Sequence, residues 1–151
     1  MKRINLLAIL LLLLVINCKD VQKENSIDTA EDVKEILVLD SLELKLDDGD
    51  KWLANLETHE GVKLMDSIIT VFKKENKEDY VVLGDDLSKQ TSYIIKNCSM
   101  KGEPHDQLHV VLVPMLDEIS ILREQTNAAE SKAALDRLEQ LISSYFKYFK
   151  V

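Results

Sequence analysis

The sequence predicts an all-α protein: an antiparallel four-helix bundle, preceded by a short extended segment or hairpin. Glycine and proline are scarce, with 4 and 2 among 151 residues, which disfavours an architecture built of many strands and turns. Four amphipathic segments with apolar residues at helical spacing follow one another between residues 55 and 148. Helices joined by short connections pack most simply in up-down-up-down order.

Residues 1–17 have the pattern of a cleavable signal peptide. Lys2 and Arg3 are soon followed by an apolar run that extends from Leu6 to Ile16. A membrane-spanning helix needs about 20 apolar residues, so this run is too short to be one. We therefore expect the chain to be exported.

The apolar run ends in Val15-Ile16-Asn17-Cys18, which resembles the lipobox of bacterial lipoproteins. The resemblance implies cleavage before Cys18 and acylation of its thiol and its new amino group. Asn17 departs from the small residue that commonly precedes the cysteine in that motif. The expected location is the bacterial cell envelope, where the lipid bilayer would hold Cys18. The alternative is an ordinary secretory signal, with Cys18 free or in a disulfide.

Composition limits the mature chain to one acidic domain. Cleavage leaves 134 residues, enough for one domain of ordinary size. It also leaves 17 basic and 27 acidic residues, a net charge of −10, which disfavours nucleic acid as a partner. Residues 18–34 are predicted to be the lipidated cysteine and a flexible polar tether, and residues 35–151 the helical domain.

The elements of that domain follow from periodicity. Residues 36–46 predict a short strand, because leucines alternate with polar residues at the end of this segment. The predicted helices are residues 55–74, 79–98, 104–124 and 127–148. His59 lies outside the apolar stripe of the first helix and is expected to be exposed. The stripes predict these inward-facing residues: Thr58, Gly61, Val62, Met65, Ile68, Ile69, Phe72, Tyr80, Leu83, Leu87, Thr91, Ile94, Cys98, Leu108, Leu112, Met115, Ile119, Leu122, Ala134, Leu138, Leu141, Ile142, Tyr145 and Phe149.

Four soft or borderline metal ligands surround the connection between the second and third helices: Cys98, Met100, His105 and His109. The two histidines are four residues apart and therefore neighbours on one helix face. Thiolate, thioether and imidazole together suit Cu(I), and the set without the thioether suits Zn²⁺. The alternative is structural: Cys98 as a small buried hydrophobe and the histidines as an ordinary helix start.

Aromatic residues are expected to wall this candidate site. In an antiparallel bundle, the start of the first helix and the end of the fourth lie at the same end as the second connection. The expected wall consists of Trp52, Tyr145, Phe146, Tyr148 and Phe149.

The segment Cys-x-Met-Lys-Gly-x-x-His-x-x-Leu-His, with Gly49-Asp50-Lys51-Trp52 upstream, resembles small uncharacterised envelope lipoproteins of bacteria. The resemblance covers residues 44–125 and implies a helical domain that binds metal, without an established activity. The segment is also similar to copper-binding helical domains of metal-efflux systems, in which cysteine and methionine cluster.

The sequence gives no support for an enzyme. It has no glycine-rich phosphate loop, no haem attachment motif and no nucleophile elbow. Acidic pairs such as Asp85 and Asp86 are expected to be solvated charges. Two functions remain: a membrane-anchored exported lipoprotein that binds copper or zinc at one end of the bundle, or a non-catalytic envelope scaffold or protein-interaction module that binds an envelope protein and no metal.

Overall fold

The structure, a computed structural model, describes residues 43–124 and 127–151. The predicted signal peptide, Cys18, the tether and the first part of the predicted strand lie outside the described residues.

Four helices and a small parallel sheet make up the described chain, which confirms the prediction of an all-α helical bundle. The helices are α1 (Leu56–Lys74), α2 (Tyr80–Asn97), α3 (Glu103–Arg123) and α4 (Ala128–Tyr148). Each begins and ends within one residue of the bounds expected from the sequence. Within the described ranges, no helix is long and apolar enough to cross a membrane.

Local capping explains two of the helix starts. The side chain of Asp79 accepts a hydrogen bond from the backbone N–H of Val82, and that of Asn127 accepts one from Glu130. Each bond satisfies a backbone donor that has no partner inside the first turn. Asn55 occupies the N-cap position of α1, as expected, but its side chain makes no capping bond to the backbone.

Two short strands close the bundle at one end. β1 (Trp52–Leu53) pairs in parallel with β2 (Phe149–Lys150), and Trp52 lies opposite Phe149. Just before β1, Asp47 and Asp50 form a tight turn with two backbone hydrogen bonds. Of the predicted strand 36–46, the structure describes residues 43–46, and these are not in a strand.

The core lies between the four inward faces, and most of the predicted stripe is buried. Ile68, Tyr80 and Cys98 are only partly buried and pack against the edge of the core. The stripes missed six helical residues that the structure buries: Gly84, Val111, Glu118, Ser131, Leu135 and Arg137.

Glu118 and Arg137 form a salt bridge inside the bundle. The guanidinium donates from Nε to Oε1 at 2.9 Å and from Nη2 to Oε2 at 2.8 Å. The two side chains are only 8% and 5% exposed, respectively. This two-point pairing joins α3 to α4 with the strongest common geometry for an ion pair.

Two glycines mark places where helices approach closely. A Cβ on Gly61 would overlap Cγ1 of Ile94, so α1 and α2 contact each other through that glycine. A Cβ on Gly84 would lie 2.6 Å from Cγ of Arg123 at the end of α3. α1 packs on α2, α2 on α3 and α3 on α4 extensively, whereas the seam between α1 and α4 is sparser.

Candidate functional site

The connection between α2 and α3 brings Cys98 and His105 together. Cys98 ends α2, and its backbone N–H still donates to the Ile94 carbonyl. Gly102 precedes α3 with a φ of 65°, a conformation that glycine adopts without strain, and its carbonyl accepts from the N–H of His105. The turn places Sγ of Cys98 3.6 Å from Nδ1 of His105.

The separation of 3.6 Å between Sγ and Nδ1 is compatible with two kinds of chemistry. A metal ion bonded to sulfur at about 2.3 Å and to nitrogen at about 2.0–2.1 Å, with a tetrahedral angle between the bonds, holds the two ligand atoms about 3.5 Å apart. The same separation suits a hydrogen bond between a thiol and an imidazole. The pair therefore has the spacing of two ligands of one ion without any rearrangement of the backbone.

His109 and Met100 are near this pair but differ in burial. The rings of His105 and His109 lie with their centroids 4.3 Å apart and their planes tilted by 55°. His109 is exposed, whereas Met100 is partly buried and packs against the core. In the part of the chain that the structure describes, no group of three or more His, Cys, Asp or Glu side chains is placed to hold a metal ion. The structure thus brings Cys98 close to His105, and His105 close to His109. Among the described residues, it does not place three such side chains around one common metal position.

His59 is a neighbour of this region, and its expected exposure is wrong. Nδ1 of His59 lies 3.3 Å from the hydroxyl of Tyr145, and its ring meets Phe146 edge to face at 5.7 Å. The single-stripe prediction failed because α1 faces α4 as well as α2, so its inward surface is wider than one stripe.

Burial shifts the pKa values of both Tyr145 and His59. Burial raises the pKa of the Tyr145 hydroxyl far above its usual range, and a negative charge on Cys98 contributes in the same direction. Burial also lowers the pKa of His59, with Lys63 adding to this effect and Glu60 opposing it. Both shifts favour the uncharged form of the side chain at neutral pH.

Polar side chains tie the start of α1 to the end of α2 at the same end of the bundle. Nδ2 of Asn55 donates to the carbonyl of Asn97 at 3.1 Å and to the Glu57 carboxylate at 2.6 Å. The hydroxyl of Thr58 donates to Oδ1 of Asn55 at 2.7 Å. The bond from Asn55 holds the pKa of Glu57 below its usual range. The amide of Asn55 thus orients the helix end that carries Cys98.

Aromatic side chains lie at this end of the bundle. Tyr145 and Phe149 are fully buried and stacked, with ring centroids 4.9 Å apart and planes within 9° of parallel. Trp52 is buried beside Phe149, and its indole N–H donates to the Lys45 carbonyl at 2.6 Å. Phe146 and Tyr148 are partly buried at the edge of the core.

A scan against protein-family models gives no match to this chain, and neither a search of curated proteins nor a search of solved structures gives one. The candidate site therefore stands on the residues and distances of this chain alone.

Proposed function

We propose that this protein is an exported bacterial lipoprotein without enzymatic activity, anchored by acylated Cys18, whose helical domain binds one transition-metal ion. Cys98 and His105 would be the principal ligands, and Met100 and His109 would complete the site. The observation that carries the proposal is the 3.6 Å separation of Sγ and Nδ1 across the connection between α2 and α3. The sequence of residues 1–18 carries the anchoring.

The donor set favours Cu(I) over Zn²⁺. Structural zinc sites usually have four ligands in tetrahedral geometry, and the described residues gather no three His, Cys, Asp or Glu side chains. Thiolate and thioether groups favour Cu(I), which tolerates fewer ligands. Cys98 provides the thiolate, and Met100 lies two residues further along the same connection. Zn²⁺, completed by His109 and water, is the second choice.

The proposal includes an antiparallel order of the helices. Support comes from contacts between opposite ends: Asn55 before α1 bonds to Asn97 at the end of α2, and Arg123 at the end of α3 pairs with Asp85 near the start of α2. In addition, the strand before α1 pairs with the strand after α4. This order would place the start of α1 and the end of α4 at the same end of the bundle as the α2–α3 connection.

A titration tests the metal site. Cu(I) is titrated into the purified mature protein in the presence of a competing chelator, and Zn²⁺ in a separate series. Cys98→Ser and His105→Gln should each weaken Cu(I) binding by more than about 100-fold, since loss of a direct ligand costs more than loss of a group that only orients one. His109→Gln should have a smaller effect. His59→Gln, which removes a histidine outside the proposed ligand set, is the matched control and should leave affinity unchanged.

Equal affinity of the wild type and the Cys98→Ser variant for both ions would refute the site. Mass spectrometry of the natively purified protein, with and without chelator, gives an independent measure of bound metal. Anchoring is tested separately by incorporation of a radiolabelled fatty acid. Incorporation that persists in Cys18→Ser would refute acylation of that residue.

The second candidate function is a non-catalytic scaffold that binds an envelope protein, and one observation favours it. A groove of about 320 Å³ runs between α1 and α2 and is lined mainly by apolar side chains, among them Leu64, Val71 and Val82. These three side chains are exposed, as residues of an interaction surface are. Under this function, Cys98, His105 and His109 would be replaceable with packing losses only. If the Cys98→Ser/His105→Gln variant still binds its envelope partner, that result would favour the scaffold.

A further inference from the structure

One end of the bundle exposes four aliphatic side chains. Leu46, Leu53, Leu56 and Val151 are between 42% and 66% exposed. We call these four residues the apolar end patch. Single exposed leucines are ordinary on protein surfaces, but a group of them at one end of a small domain indicates a binding surface.

The sheet and the preceding turn bring the four residues to the same end. Leu53 lies opposite Lys150 in the parallel pairing of β1 and β2, and Val151 follows directly. Leu56 is the first residue of α1, three positions after Leu53. Leu46 precedes the turn that leads into β1, and the neighbouring Lys45 carbonyl is fixed by the Trp52 indole.

The chain also enters the domain at this end. The backbone N–H of Lys45 donates to Oε1 of Gln107 in the first turns of α3, at 2.7 Å. Cys18 lies 25 positions before Glu43, so a fully extended chain between them spans at most about 90 Å. A connection no longer than this keeps the tethered surface at an effective concentration on the order of millimolar near its anchor. The surface next to the anchor therefore needs only weak affinity for the bilayer.

We propose that the apolar end patch rests on the lipid bilayer, with Leu53, Leu56 and Val151 inserted at the boundary between headgroups and acyl chains. This inference rests on the proposed anchoring through Cys18 and adds an orientation to it. The bundle would stand with the α2–α3 connection, and hence the candidate metal site, towards the membrane.

The polar groups around the patch fit a zwitterionic lipid surface. Lys147 lies over the ring of Tyr148 at 5.3 Å, and Tyr and Lys are side chains that favour the interface because each has an apolar body and a polar tip. Lys150 pairs with Asp50, and this pairing lowers the pKa of the Asp50 carboxyl. Acidic residues of the turn offset the lysines, so the patch does not require anionic lipids.

The experiment uses the full mature lipoprotein, reconstituted into phosphatidylcholine vesicles, in a Cys98→Ser background. A polarity-sensitive fluorophore is attached at Leu56→Cys, and at Val82→Cys as the matched control. Leu56 and Val82 are 56% and 54% exposed, but Val82 lies at the start of α2, in the groove away from the patch. Lipids brominated on their acyl chains should quench about half of the emission from position 56, because interfacial insertion reaches about 5–10 Å into the bilayer. Position 82 should be unaffected.

Flotation of the vesicles separates this inference from the proposed function. Protein that does not float with the vesicles would show that anchoring through Cys18 has failed, and the orientation with it. Protein that floats, with both labels equally unquenched, would overturn the inference and leave the anchoring intact. A label at position 56 that becomes shielded without bromine quenching would show that a second copy or another protein covers the patch, which would also overturn the inference.

Discussion

Removal of one partner of the salt bridge between Glu118 and Arg137 should be among the most damaging single changes in this protein. Each side chain is less than a tenth exposed, and two hydrogen bonds of 2.8 and 2.9 Å join them. Glu118→Ala leaves a buried guanidinium without its carboxylate partner. Breaking a buried pair in this way costs about 3–5 kcal/mol, because the guanidinium then loses the carboxylate that offset its desolvation.

The double variant Glu118→Leu/Arg137→Met should be more stable than Glu118→Ala or Arg137→Ala alone. Apolar side chains of similar volume need no desolvation of charge, and such replacements are often neutral or stabilising. The assay is urea denaturation followed by circular dichroism, with free energies of unfolding compared in a double-mutant cycle. Lys89→Ala, which removes an exposed ion pair with Asp86, is the control and should change stability by less than about 1 kcal/mol. A loss of less than about 1 kcal/mol for Glu118→Ala would refute the assignment of a buried charge pair.

Three further predictions concern packing and pH. Leu138→Ala should lower the free energy of unfolding by about 2–5 kcal/mol, because Leu138 is fully buried. Val113→Ala, at an exposed position of α3, is the control and should lower it by less than about 0.5 kcal/mol. Equal losses for the two variants would contradict the assigned core. Gly61→Ala should destabilise by about 1–3 kcal/mol despite its better helix propensity, and it should be non-additive with Ile94→Ala in denaturation measurements, because its Cβ would clash with Ile94. The folded state lowers the pKa of His59 from 6.5, so the contribution of this residue to stability is complete above that pH and declines as the pH falls below it. The free energy of unfolding of the wild type should therefore drop relative to that of His59→Gln between about pH 7 and pH 5. Parallel pH profiles of the two proteins would contradict this.

The helices and most of the core could be predicted because their causes are local. Asp79 and Asn127 start helices by accepting hydrogen bonds from backbone groups three residues away. Each capping residue and its partner therefore lie within one short stretch of sequence. Residues such as Met65 and Leu138 repeat at helical spacing, and both are fully buried. Cys98 and His105 could also be expected to meet, since only a short connection with Gly102 separates them.

The buried ion pair and His59 could not be predicted in the same way because they depend on how two helices are placed against each other. Glu118 and Arg137 lie 19 positions apart on different helices, and each alone has the residue type of a solvated face. They meet because of the register between α3 and α4. The apolar pattern of one helix does not reveal how that helix is aligned with its neighbour. The same holds for His59 and Tyr145, which lie 86 positions apart. The two-residue strands escaped prediction because the pairing of Trp52 with Phe149 joins opposite ends of the domain.

The candidate metal pair and the stability of the bundle depend on different residues, which makes the proposed function testable without loss of the fold. Cys98 is only partly buried, and its contact with His105 is formed within one connection. The bundle is held instead by the fully buried side chains and by the ion pair between α3 and α4. Loss of Cys98 or His105 should therefore weaken metal binding without unfolding the bundle.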